Sequence, residues 1–128
     1  MTVESAPIRL VLDTSAILAF TRGSIHVGEP LSEVADEGGV AGLPAECLAE
    51  ARWMVDDVDR LNLLLDHHAT VIVPGSDDWQ ALAAIHDVTG TLDATAAMLS
   101  AIDEGCYVLT ARPGLYRGIA DNGPIVEI

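Results

Sequence analysis

The sequence predicts one α/β domain with a parallel sheet covered by helices on both faces. Three observations carry that prediction. Short β-branched runs alternate with helical segments from end to end. The 128 residues, half of them apolar, suffice for one core and are too few for two. Neither an internal repeat nor a low-complexity linker divides them. The domain is therefore expected to span residues 1–128.

In chain order, Ile8-Arg9-Leu10-Val11-Leu12 is an apolar run that ends at Asp13, and Thr14 to Phe20 then turn helical, so the chain reads strand, acid, helix. Gly38 to Leu43 reads as a second strand, and Pro44 suits the first turn of a helix from about Ala45 to Val55. Asp56 to His67 continue helical, with Val58, Leu61, Leu64 and Leu65 on one buried face. A third strand, Thr70 to Val73, stops at Pro74-Gly75. Asp78-Trp79-Gln80 open a helix to about Val88, Gly90 breaks it, and a further helix from about Leu92 to Glu104 ends at Gly105. Tyr107 to Thr110 is a strand, Arg112 to Ile119 a short helix or turn, and Ile125 to Ile128 the last strand.

Charge narrows the function. The chain carries a net charge of −14, no lysine, and six arginines: Arg9, Arg22, Arg52, Arg60, Arg112 and Arg117. A nucleic-acid binder that works by basic surface charge is disfavoured, because phosphates are normally met by Lys and Arg. Activity on RNA would need metal ions held by the acids, or a basic partner docked on an acidic face. Arg9, Asp13 and Arg22 interrupt the only apolar N-terminal run, so no membrane span is expected. Met1 to Pro7 carry Glu4 rather than a basic cluster, and a cytoplasmic location is expected. Cys47 and Cys106 have no CxxC spacing and read as reduced core thiols. Aromatic residues make up 4% of the chain, too few for base stacking to supply most of the affinity for RNA. Trp53 and Trp79 lie in helical patterns where buried or dimer-facing aromatics are common, and His67-His68 read as a solvated helix end.

In parallel sheets ligands gather at the carboxyl ends of the strands. There the chain places Asp13, Thr14 and Ser15 after the first strand and Thr110 at the end of the fourth, with Asp93 and Glu50 on helices packed beside them. Asp13 at such a junction also suits a helix N-cap, and Asp93 near a helix start also gains from the dipole. Glu46 and Glu50 lie one turn apart on a shared face, so either can reach the site. Distance from Pro44 favours Glu50. Thr14, Ser15 and Thr110 can orient the acids through hydrogen bonds, or act as ordinary turn formers.

Four segments together resemble the PIN domain, and in particular the toxin nucleases of bacterial VapBC toxin–antitoxin pairs: Val11-Leu12-Asp13-Thr14-Ser15-Ala16, Pro44-Ala45-Glu46-Cys47-Leu48-Ala49-Glu50, Leu92-Asp93-Ala94-Thr95-Ala96-Ala97 and Val108-Leu109-Thr110-Ala111. The resemblance covers nearly the whole chain. It implies a three-layer α/β/α fold around a five-stranded parallel sheet of order 3-2-1-4-5, and a Mg²⁺- or Mn²⁺-dependent ribonuclease that hydrolyses RNA phosphodiester bonds. A homodimer and a small basic antitoxin are the partners it implies. Asp13, Glu50 and Asp93 match the family's first three acids, and Thr110 matches the hydroxyl residue before the fourth. That fourth acid is missing: Thr110-Ala111-Arg112 stands where the family commonly has Thr-Ala-Asp, and no carboxylate follows before Asp121.

Mg²⁺ keeps several waters and is typically fixed by one or two carboxylates plus substrate phosphate, so three acids can hold one ion. Arg112, pointing inward, would neutralise the cluster or contact the phosphate where a second metal would otherwise sit. The alternative is a catalytically degenerate PIN-like protein that binds a partner protein or RNA without cutting. A dinucleotide-binding enzyme is set aside, because Asp13-Thr14-Ser15 occupies the place of GxGxxG, and a receiver-type phosphoacceptor is set aside because the chain has no lysine.

Overall fold

The computed structural model describes residues 6–119 and 124–128. Asp121 lies outside the described residues. The elements run β1 (Ile8–Leu12), α1 (Thr14–Thr21), α2 (Ile25–Asp36), β2 (Val40–Pro44), α3 (Ala45–Met54), α4 (Val58–Leu65), β3 (Thr70–Val73), α5 (Trp79–Thr89), α6 (Leu92–Glu104), β4 (Tyr107–Thr110), a 3₁₀ turn (Pro113–Tyr116) and β5 (Ile125–Glu127).

All four strand pairings are parallel and the sheet order is β3-β2-β1-β4-β5, as the resemblance implied. Right-handed crossovers then dictate the layers. The chain steps one way from β1 to β2 to β3, which puts α1 to α4 on one face. It reverses to reach β4, which puts α5 and α6 on the other. The core runs through both faces of the central strands, where Val11, Leu12, Leu43, Val108 and Leu109 meet Ile17, Met98 and Tyr116, all fully buried. Cys47 and Cys106 are buried free thiols, as expected. No helix among the described residues is long and apolar enough to cross a membrane.

Two stretches depart from the sequence reading. Residues 25–36, given no element above, form α2: Ser24 caps it, and Val27, Leu31 and Val34 bury one face, which outweighs Gly28 and Pro30 inside the helix. Residues 45–67, expected to run on as helix, break between α3 and α4. Val55 is extended there, and the Asp57 side chain accepts the Asp59 N–H at 3.0 Å, starting a new helix. The predicted glycine stops hold. Gly90 and Gly105 sit at φ 75° and 65°, left-handed conformations that glycine adopts without Cβ strain.

Candidate active site

The strand order reverses between β1 and β4, and a crevice opens at such a point beyond the carboxyl ends of the strands. Asp13 sits at that point. Its main-chain N–H reaches Leu109 O of β4 at 3.3 Å, and its extended backbone makes it the N-cap of α1. The capping geometry turns the carboxylate over the first turn, where Oδ1 accepts the Ala16 N–H at 3.0 Å and the Ser15 hydroxyl at 2.6 Å. Oδ2 accepts the Tyr116 hydroxyl at 2.7 Å. Capping thus uses one of the three donors that converge on a side chain only 3% exposed.

Asp93 is the second residue of α6, half-buried, and its Oδ2 accepts the Thr14 hydroxyl at 2.6 Å. The Cys47 thiol of α3 donates to the Asp93 main-chain oxygen at 3.2 Å. The β1–α1 junction, α3 and α6 are therefore joined at one place, with Asp13 and Asp93 one residue's bonding apart. Their negative charges are felt together: burial pushes the Tyr116 hydroxyl and the Cys47 thiol far up, and Asp13 and Asp93 both add to the rise.

Burial alone would raise the Asp93 carboxyl, but hydrogen bonding, the Thr14 hydroxyl's first of all, outweighs it and holds the group below its ordinary value. A depressed folded pKa gives stability that is present above the unfolded value and is lost as pH falls through the folded one. Thr14→Val removes this donor, which lies at 2.6 Å. Its denaturation midpoint is expected to fall less steeply than the wild type's between pH 4 and the acid limit; parallel curves would show that Thr14 does not hold the Asp93 charge.

The remaining candidates divide into two groups. Ser15 and Thr110 join the network: their hydroxyls lie 3.3 Å apart, the Ala111 N–H donates to Ser15 Oγ at 2.8 Å, and the Arg112 N–H donates to Thr110 Oγ1 at 2.9 Å. The Arg112 side chain is exposed and forms no ion pair among the described residues, so what ties this residue to the site is its backbone. Glu50 is exposed on α3 with no hydrogen bond or ion pair among the described residues. Glu46, half-buried, lines a cavity of about 210 Å³ with Val73, Pro74, Ser100 and Asp103. Its Oε2 lies 3.3 Å from where a Cβ on Gly75 would stand, so it points toward the loop after β3, and like Glu50 it has no hydrogen bond or ion pair among the described residues.

Tyr116 and Cys47 were not singled out from the sequence. The signal available for Tyr116 was a lone phenol in the turn after β4, since a buried tyrosine needs a partner for its hydroxyl. Trp53 and Trp79 are 87% and 70% exposed, not buried. His67 and His68 stack at 4.8 Å, and His67 Nδ1 accepts the Ala69 N–H, which makes them part of the turn after α4.

The donor set suits a hard dication. Asp13 precedes Thr14 and Asp93 bonds its hydroxyl, and neither acid is ion-paired, for the one ion pair among the described residues is Arg60–Asp57 on the surface. Thr91 Oγ1, next to Asp93, is buried with no hydrogen-bond partner. Among the described residues no three of His, Cys, Asp and Glu stand close enough to enclose an ion, so Asp13, Glu50 and Asp93 are not gathered into the three-acid cluster the sequence suggested. One or two carboxylates plus water and phosphate is the usual complement for Mg²⁺.

No family model and no curated relative matches the chain. Solved structures do. A chain of VapBC2 from Rickettsia felis, bound to a DNA fragment from its promoter, superposes with TM-score 0.70 over 94% of this chain and 98% of its own, at 15% identity. The chain has a PIN-like fold. A toxin–antitoxin complex from Klebsiella pneumoniae aligns with TM-score 0.66 at 14% identity, over 97% of this chain and all of its counterpart. PAE2754 from Pyrobaculum aerophilum gives 0.65 at 15%, over 92% and 83%. At these identities the likeness concerns the PIN-like fold, and the chemistry rests on Asp13 and Asp93 themselves.

Proposed function

We propose that the chain is a ribonuclease that uses Mg²⁺ or Mn²⁺ to hydrolyse RNA phosphodiester bonds, and that it is the toxin of a toxin–antitoxin pair. One observation supports this above the others: Thr14, the residue after Asp13, bonds Asp93 at the switch point of the sheet, and neither acid is ion-paired among the described residues. Neighbouring carboxylates that no countercharge offsets repel one another at a cost in stability, which a bound cation would relieve. Asp13 and Asp93 would bind the ion, and Glu50, free of other contacts among the described residues, would complete its shell or hold a water. When bound, the ion polarises the scissile phosphate and lowers the pKa of the attacking water. Thr14 and Ser15 hydrogen-bond the carboxylates, Thr110 lies against Ser15, and the exposed Arg112 guanidinium would meet the substrate phosphate.

The charge of −14 fits the partners of this reading. RNA would be admitted only where the ion offsets the acids, and a small basic antitoxin would be drawn to the acidic surface. Two of the neighbours are toxin–antitoxin components, which agrees with such a partner. A homodimer, as the resemblance implies, belongs to the same proposal.

A second reading, a PIN-like binding module that no longer cuts, is favoured by the near-complete burial of Asp13 and by Arg112 after Thr110. Incubating the purified chain with a mixed single-stranded RNA pool in Mg²⁺, Mn²⁺ or EDTA separates the two. The nuclease reading expects cleavage in either metal and none in EDTA. Intact RNA in all three, with RNA retained on the protein, would favour the binding module.

A further inference from the structure

We infer that Tyr116 is a positioning residue, which fixes the Asp13 carboxylate so that it serves as a ligand for one divalent cation and not for two. The inference rests on the metal-dependent reading above and goes beyond it by naming how the pocket sets its stoichiometry. A carboxylate offers about four lone-pair directions, two on each oxygen. On Asp13, Ser15 Oγ and Ala16 N take both of those on Oδ1, at 2.6 and 3.0 Å. The Tyr116 hydroxyl takes one on Oδ2 at 2.7 Å. One direction is left, on Oδ2. A carboxylate that bridges two ions needs at least two open directions, and Asp13 has one.

Tyr116 is well built for holding this arrangement. It is the largest fully buried side chain among the described residues. It stands on the 3₁₀ turn that follows β4, which packs against α5 and β5, so its ring is placed by the scaffold on the second side of the sheet. Ser15 and Ala16 belong to α1, on the other side. Asp13 is therefore gripped from both layers, and its torsion cannot change without breaking a bond to one of them. A phenol beside a carboxylate acts as donor, and the 2.7 Å bond holds the Tyr116 hydroxyl on Oδ2. Removing the hydroxyl would free a second direction on Oδ2 and leave the carboxylate loose about its last torsion.

The test is a Mn²⁺ titration of the whole chain, followed by electron paramagnetic resonance, on the wild type, Tyr116→Phe and Leu115→Ala. Leu115 lies on the same turn, partly buried against the core, and does not bond Asp13, so it reports what a purely structural disturbance of the turn does. Wild type is expected to bind one Mn²⁺ per chain. Tyr116→Phe is expected to bind about tenfold more weakly, the lower end of what loss of a group orienting a metal ligand costs, while Leu115→Ala keeps wild-type affinity. Two ions on the wild type, or equal affinity in wild type and Tyr116→Phe, would overturn the inference alone. No Mn²⁺ on the wild type would overturn the metal-dependent reading and this inference with it. Should Tyr116→Phe unfold at the assay temperature, the wild-type stoichiometry decides: one ion supports the inference and two overturn it.

Discussion

Asp13→Ala is expected to destabilise the domain by about 3 kcal/mol, measured as a fall in the denaturant midpoint at constant slope. About 1 kcal/mol is the loss of the α1 N-cap. Roughly 2 kcal/mol more comes from leaving the buried Tyr116 hydroxyl without its acceptor. An opposing effect exists, because alanine also removes a buried charge that repels Asp93. The donors decide the sign: three of them lie within 3.0 Å of the carboxylate, and charge-assisted bonds of that length are about twice as strong as neutral ones. Asp13→Asn separates the terms, since its amide oxygen can still cap Ala16 and accept from Ser15, and the Tyr116 oxygen can accept from the new amide. It is expected to cost about 1 kcal/mol or less. An alanine variant as stable as the wild type would mean that the three bonds do no more than balance the repulsion.

Glu50→Gln is expected to lower metal-dependent cleavage by about tenfold to a hundredfold, the range for removing a group that holds a metal or its water, and Glu46→Gln to leave it within about threefold. The two acids are one turn apart on α3 and look alike in the sequence. Their surroundings separate them. Glu46 is turned toward Gly75 and the cavity shared with Asp103. Glu50 lies three residues beyond Cys47, whose thiol touches the Asp93 backbone, and residues three apart on a helix share a face. That spacing puts Glu50 on the Cys47 face of α3, exposed and without a hydrogen bond or ion pair among the described residues. Cleavage rates for the two variants, at saturating Mg²⁺ and with melting curves beside them, check this. Loss on Glu46→Gln with Glu50→Gln unaffected would reverse the assignment.

The parts of this account that were legible in the sequence are those encoded locally. An apolar run, an acid and two hydroxyl residues describe the β1–α1 junction almost completely, because strand end, N-cap and site coincide at Asp13. Gly90 and Gly105 likewise marked their helix ends through backbone conformation alone. The strand order was available through the PIN resemblance. What escaped was either masked by breakers or assembled from afar. Gly28 and Pro30 hid α2, although Ser24 and the Val27, Leu31, Val34 face were there to be read. Asp57 restarted a helix that apolar periodicity alone would have continued. Tyr116 reaches Asp13 across 103 residues, a contact that no local pattern contains. Tryptophans at helical spacing read as buried or dimer-facing, and Trp53 and Trp79 are exposed on the single chain, since periodicity reports a face and not what covers it.

The claim on which the rest depends is that the Asp13–Asp93 pair holds the cation for RNA cleavage. Its most direct measurement is a time course of RNA-pool cleavage in Mg²⁺ by the wild type and by Asp13→Asn, with both proteins shown to be folded by their melting curves. We expect metal-dependent cleavage by the wild type and a fall of at least about a hundredfold in the folded variant, the loss of one metal-binding carboxylate from the site. Cleavage by Asp13→Asn at the wild-type rate would contradict the claim and place the activity elsewhere.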